Sequence, residues 1–126
     1  MTVDPPRLFV YGTLQPGRLR WPFLAPYAAG HRPADVAGLL YDSGYGWPVA
    51  TFGAGEPVVP GTLVDLDPAR VGVALAVLDE VEATATDLLV RIAVATTDGT
   101  PAWAYHCAVP EPGMVPIARW TSTDER

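Results

Sequence analysis

Asp67-Pro-Ala-Arg-Val-Gly-Val-Ala-Leu-Ala-Val-Leu-Asp-Glu-Val-Glu82 decides the fold, because the hydrophobic period changes there from that of a strand to that of a helix. Asp67 followed by Pro68 predicts an N-cap with proline at the first helical position. Val71, Ala74, Leu75, Leu78 and Glu82 then recur at i, i+3, i+4, i+7 and i+11, which is one face of a helix. Upstream, Arg7-Leu-Phe-Val-Tyr11 reads as a buried strand ending at Gly12. Residues 13–33 are rich in Pro, Gly and Arg, so a loop is expected, with one helical turn near Trp21–Leu24. Val36–Tyr41 and Trp47–Phe52 read as strands, as does Pro57–Leu66, whose Pro60-Gly61 suits an edge or a bulge. Downstream, Leu88–Thr96 and Pro101–Val109 are strands joined at Asp98-Gly99, a hairpin signal. The Pro-rich stretch after Val109 carries no assignment. Strands, one helix and a hairpin predict an α+β fold with a mostly antiparallel or mixed sheet, in a single domain over residues 1–126.

Composition narrows the chemistry. The 126 residues are 49% hydrophobic and 17% charged, enough for a packed core. A formal charge of −6 argues against nucleic acid or an anionic membrane surface as a partner. All eight basic residues are arginine, so Schiff-base, pyridoxal and P-loop chemistry are excluded. The single Cys107 excludes an internal disulfide and a multi-cysteine zinc site. Two distant histidines among the carboxylates form no recognisable metal site, and no cofactor is implied. No apolar run has the length of a membrane span, and Met1–Pro6 lacks the start of a signal peptide, so a cytoplasmic protein is expected.

Four places carry candidate chemistry. Glu82 falls within roughly 20° of Leu75 at the centre of the apolar stripe. Burial there would raise its pKa and suit it to proton transfer; the alternative is a frayed helix end with the carboxylate in water. Tyr11-Gly-Thr-Leu14 lies where a buried strand enters a loop, either an ordinary turn or a set of exposed N–H groups able to hold an oxyanion. Arg91 shares a strand face with Leu89 and Ala93, and either pairs with a carboxylate or lies on a solvated face. Tyr105 alternates with Trp103 and Cys107, as a packed aromatic or a ligand contact. His106 and Cys107 are strand neighbours pointing to opposite faces, which excludes them as a catalytic dyad.

Taken together, these segments resemble the gamma-glutamylcyclotransferase-like family, including its gamma-glutamylamine cyclotransferase and avirulence-induced-protein-like branches. Phe9-Val-Tyr-Gly-Thr-Leu14 is similar to the family's N-terminal loop, and Leu78-Asp-Glu-Val-Glu82 to its Leu-Asp-x-x-Glu signature. Gly38-Leu-Leu-Tyr41, Trp47-Pro48, Pro60-Gly-Thr-Leu63 and Ala102-Trp-Ala-Tyr105 follow its strands in order. The resemblance implies a small mixed β-barrel flanked by helices and a small γ-glutamyl substrate cyclised to 5-oxoproline. It makes Glu82 the acid/base group, with Tyr11, Gly12, Thr13, Leu14, Arg91 and Tyr105 binding substrate. Ala83 stands where the family usually has glycine, and Leu89 where an aromatic is common, which bears on substrate choice. A non-catalytic binding or interaction module of the same fold is the rival reading.

Overall fold

The computed structural model describes residues 5–55, 57–85 and 89–120, with the side chains of residues 83–85 left aside. Strand β1 (Arg7–Val10) leads into a short helix α1 (Trp21–Leu24) and a single 3₁₀ turn at Ala25–Tyr27. Then come β2 (Ala28–Asp42), β3 (Pro48–Phe52), β4 (Val58–Leu66) and helix α2 (Val71–Ala85). Strands β5 (Leu89–Ala95), β6 (Pro101–Cys107) and β7 (Val115–Ile117) complete the chain. The strands lie in the order β3-β2-β4-β1-β6-β5, with β7 against β2. Among these pairs β1–β6 is parallel and the others antiparallel, so the barrel is mixed and mostly antiparallel, as expected. β3, at one end of this order, reaches β6, next to the other end, through side chains. The Phe52 N–H donates to His106 Nδ1 at 3.1 Å, and Thr51 Oγ1 donates to the Cys107 carbonyl at 2.7 Å, joining β3 to β6.

After Arg7, β1 is apolar because both of its faces are buried. Leu8 and Val10 join Val64, Leu75 and Leu78 under α2, while Phe9 and Tyr11 join Val36, Leu40 and Leu63 in the barrel interior. A strand covered on both sides loses the usual alternation and reads as a continuous run.

Three expectations are corrected. Residues 28–33 are not loop but the first part of β2, whose residues Ala28–Ala37 pair with β4 and whose Gly38–Asp42 pair with β3. Pairing with β4 overrides the weak β preference of Ala-Ala-Gly-His-Arg-Pro. β4 is not an edge, and its ladder runs through Pro60-Gly61 without a shift of register. β1 pairs with β4 only as far as Thr62, so on that side no donor is asked of Pro60. Gly61 is required by close approach, because a Cβ there would meet the Val10 carbonyl and the Phe9 ring. Finally, Asp67 is not the N-cap of α2. It makes a turn, its carboxylate accepting from the Ala69 N–H at 3.0 Å and its carbonyl from the Arg70 N–H at 2.9 Å. The Arg70 carbonyl takes the first helical bond, from Ala74.

The expected hairpin is present. Gly99 has φ +89, and Asp98 accepts from the Thr100 N–H and hydroxyl and from the Thr96 hydroxyl. The stretch after Val109 contributes β7 and the buried Trp120. Among the described residues no helix is long and apolar enough to cross a membrane.

Candidate active site

Helix α2 keeps its apolar face to the end. Ala74, Leu75 and Leu78 are buried, and Glu82, four residues on, is only 8% exposed. The helix runs on to Ala85, so Glu82 lies within it and not at a frayed tip. Burial pushes its carboxyl up to about 7, against a smaller downward pull from Arg20. At neutral pH such a group is present in both protonation states and can accept or deliver a proton.

Facing Glu82 is the loop that leaves β1. The Gly12 carbonyl accepts from the Gln15 N–H at 3.1 Å and the Thr13 carbonyl from the Arg20 N–H at 2.8 Å. These bonds hold the loop by its carbonyls. Among the described residues nothing accepts from the N–H groups of Gly12, Thr13 or Leu14, which leaves them as donors. Glycine at 12 is dictated by packing, since a Cβ there would lie 2.5 Å from Pro48 Cγ. The Trp47-Pro48 pair is held in turn by Ser43, whose hydroxyl donates to the Trp47 carbonyl.

Tyr11, Gly12, Thr13, Leu14, Glu82 and Tyr105 all line one small cavity of about 30 Å³, together with Arg20, Trp47, Pro48 and Leu89. The Tyr11 hydroxyl donates to the Tyr105 carbonyl at 2.7 Å, and the Tyr105 hydroxyl donates to Asp79 Oδ1 at 2.8 Å. Burial pushes both phenols well up, and the nearby Glu82 adds to each, so neither ionises near neutrality.

Arg91 stands apart from this group. It forms a two-pronged ion pair with Asp79, at 2.8 and 3.1 Å, and its guanidinium lies 4.4 Å over the Trp103 ring. It lines a neighbouring depression that shares Glu82, Leu89 and Tyr105 with the first. Burial by itself would raise Asp79, but the hydrogen bonds from Arg91 and Tyr105 outweigh it and hold the carboxyl below its usual range. Asp79 therefore links the two expected residues, Arg91 and Tyr105. Its signal in the sequence is its place inside Leu78-Asp-Glu-Val-Glu82, where the helical period turns it away from the apolar stripe. Among the described residues no cluster of His, Cys, Asp and Glu could hold a metal. The side chains of residues 83–88, including the Ala83 departure, lie outside the described residues.

A buried glutamate on a helix, facing a Tyr-Gly-Thr-Leu loop across a small cavity, accompanies a match of residues 8–122 to the family described as gamma-glutamyl cyclotransferase, AIG2-like. The chain belongs to that family. Solved structures of similar fold span this AIG2-like chain almost entirely. An AIG2-like protein from Mus musculus superposes with a TM-score of 0.68 at 18% identity, covering 94% of this chain and 90% of the mouse one. YkqA from Bacillus subtilis also gives 0.68, at 22% identity over 91% of this chain, which spans only 39% of the length of YkqA. The uropathogenic Escherichia coli protein c4763 gives 0.65 at 17% identity, covering 90% and 87% of the two chains. At these identities the shared property is the fold. None of the curated proteins matches this AIG2-like sequence.

Proposed function

We propose that the protein is a cyclotransferase acting on a small γ-glutamyl compound. The observation that carries this reading is the buried Glu82, with a carboxyl raised to about 7, lining the same cavity as the free N–H groups after β1. In the reaction the α-nitrogen of the γ-glutamyl group attacks its own γ-carbon, and a carbon–nitrogen bond forms. Glu82 takes the proton released by that nitrogen. The N–H groups of residues 12–14 stabilise the oxyanion that develops. The bond from the γ-carbon to the leaving nitrogen then breaks, Glu82 returns the proton to it, and 5-oxoproline and the amine depart. Nucleophile and electrophile belong to one molecule, so the site has mainly to hold a folded conformer, an effect worth roughly 7–11 kcal/mol in well-oriented cases. No enzyme nucleophile is required, in keeping with a Cys107 buried in the core.

The experiment is 5-oxoproline release from a panel of γ-glutamyl amino acids, γ-glutamyl amines and glutathione. Glu82→Gln, which keeps the shape and removes the proton carrier, is expected to lower turnover by roughly 10²–10⁴-fold. Full activity in that variant would remove Glu82 from the mechanism. A folded protein silent across the panel would favour a binding module.

A further inference from the structure

The cyclisation uses one of two charged side chains in the cavity. Of the residues lining it, only Glu82 and Arg20 carry formal charge, and the signs are opposite. Arg20 is partly buried and its backbone is fixed at both ends. Its N–H bonds the Thr13 carbonyl at 2.8 Å, and its carbonyl accepts from the Phe23 N–H at 3.0 Å. The side chain thus rises from the same loop that supplies the donors. The guanidinium groups of Arg7, Arg32 and Arg91 each have a carboxylate partner. Among the described residues that of Arg20 has none, although its field reaches Glu82. A guanidinium that lines a cavity without a carboxylate partner is suited to an anionic ligand.

We infer that Arg20 anchors the α-carboxylate of the γ-glutamyl group, so that the cavity reads an α-amino-acid head through a pair of opposite charges. The reaction demands an α-nitrogen near Glu82. In a γ-glutamyl compound the carboxylate sits on the same carbon as that nitrogen, so its receptor lies close to Glu82, and with the N–H groups of residues 12–14 given to the oxyanion a cation is suited to the task. Arg20 is the cation of this cavity. Substrates are then compounds with an unblocked α-amino-acid head, whatever amine they release. The role given to that head rests on the cyclotransferase reading above.

The test compares L-glutamine, the smallest γ-glutamyl amide, with 4-aminobutanamide, the same molecule without the α-carboxylate. Binding is followed by NMR titration of the wild-type protein, Arg20→Gln, Arg20→Lys and Arg18→Gln, the last losing the same charge at a position outside the cavity. Wild type is expected to prefer L-glutamine by roughly 10- to 100-fold, the scale of a charge-assisted hydrogen bond. Arg20→Gln should lose that preference, Arg20→Lys keep part of it, and Arg18→Gln keep all of it. With a γ-glutamyl substrate, Arg20→Gln should raise KM while kcat stays within a few fold. The inference is overturned if Arg20→Gln keeps the preference, if it weakens both ligands equally, or if wild type binds neither. Arg20-dependent L-glutamine binding without any 5-oxoproline release would sustain the head-group site and sink the cyclotransferase reading. Release with an unchanged KM in Arg20→Gln would do the reverse.

Discussion

A carboxyl that is protonated more readily in the folded state than in the unfolded chain makes stability depend on pH, and Glu82 is such a group. Its folded pKa of about 7 lies above the ordinary 4.5. Between those values the folded state binds more protons than the unfolded one, so the Glu82 contribution destabilises as pH rises and levels off above about 7. Burial of the ionised form costs about 3 kcal/mol on this scale. Glu82→Gln removes the dependence. The stability of that variant relative to wild type, by urea denaturation, should therefore grow by up to about 3 kcal/mol between pH 4.5 and pH 8. Equal differences at the two pH values would mean that Glu82 is solvated. The position of Glu82 was legible because a helical period is local and a carboxylate on an apolar stripe stands out. Arg20 and Asp79 acquire their roles only from segments that meet late in the chain, and no local pattern announces which segments those are.

At the level of elements, the barrel is closed by a histidine. His106 accepts the Phe52 N–H through Nδ1 and stacks on the Phe52 ring at 6.1 Å, an arrangement open only to the neutral imidazole. Burial pushes its pKa below the ordinary 6.5. As pH falls below 6.5 the unfolded chain takes up the proton first, so the His106 contribution is present above that pH and lost on acidification. His106→Gln, whose amide oxygen can still accept, should unfold with less acid sensitivity than wild type in thermal melts between pH 7 and pH 5. Matching acid profiles would show that His106 does not join β3 to β6. Helix α2 and strand β1 were readable from their own residues, one from its period and the other from an apolar run covered on both faces. The first part of β2 was not, because Ala28–Pro33 has no strand pattern and becomes a strand only by pairing with β4. Pro60 misled for the same reason. Whether a proline marks an edge depends on how far the neighbouring strand extends, and β1 stops at Val10, opposite Thr62.

Across the whole molecule, β2 ties the two parts of the barrel together by pairing with β4 along its first part and with β3 and β7 along its last. The centre of the sheet lies at β1, between β4 and β6, where Leu8 and Phe9 are fully buried. Hydrogen exchange should be slowest in β1 and β4 and faster in β5, an end strand with Val90 half exposed, and in the three-residue β7. Comparable protection in β5 and β1 would indicate that another surface covers β5. The parallel pairing of Leu8 with Trp103 has a consequence for synthesis on the ribosome. The first strand to emerge must wait for the sixth before its second edge is paired, and such distant pairing is slow to form. Tyr11 is hydrogen-bonded to Tyr105, so the loop that bears the donors gains this tether only when β6 arrives. A nascent chain that has just released helix α2 already carries Glu82, yet the cavity beside that carboxylate stays open until β6 brings Tyr105.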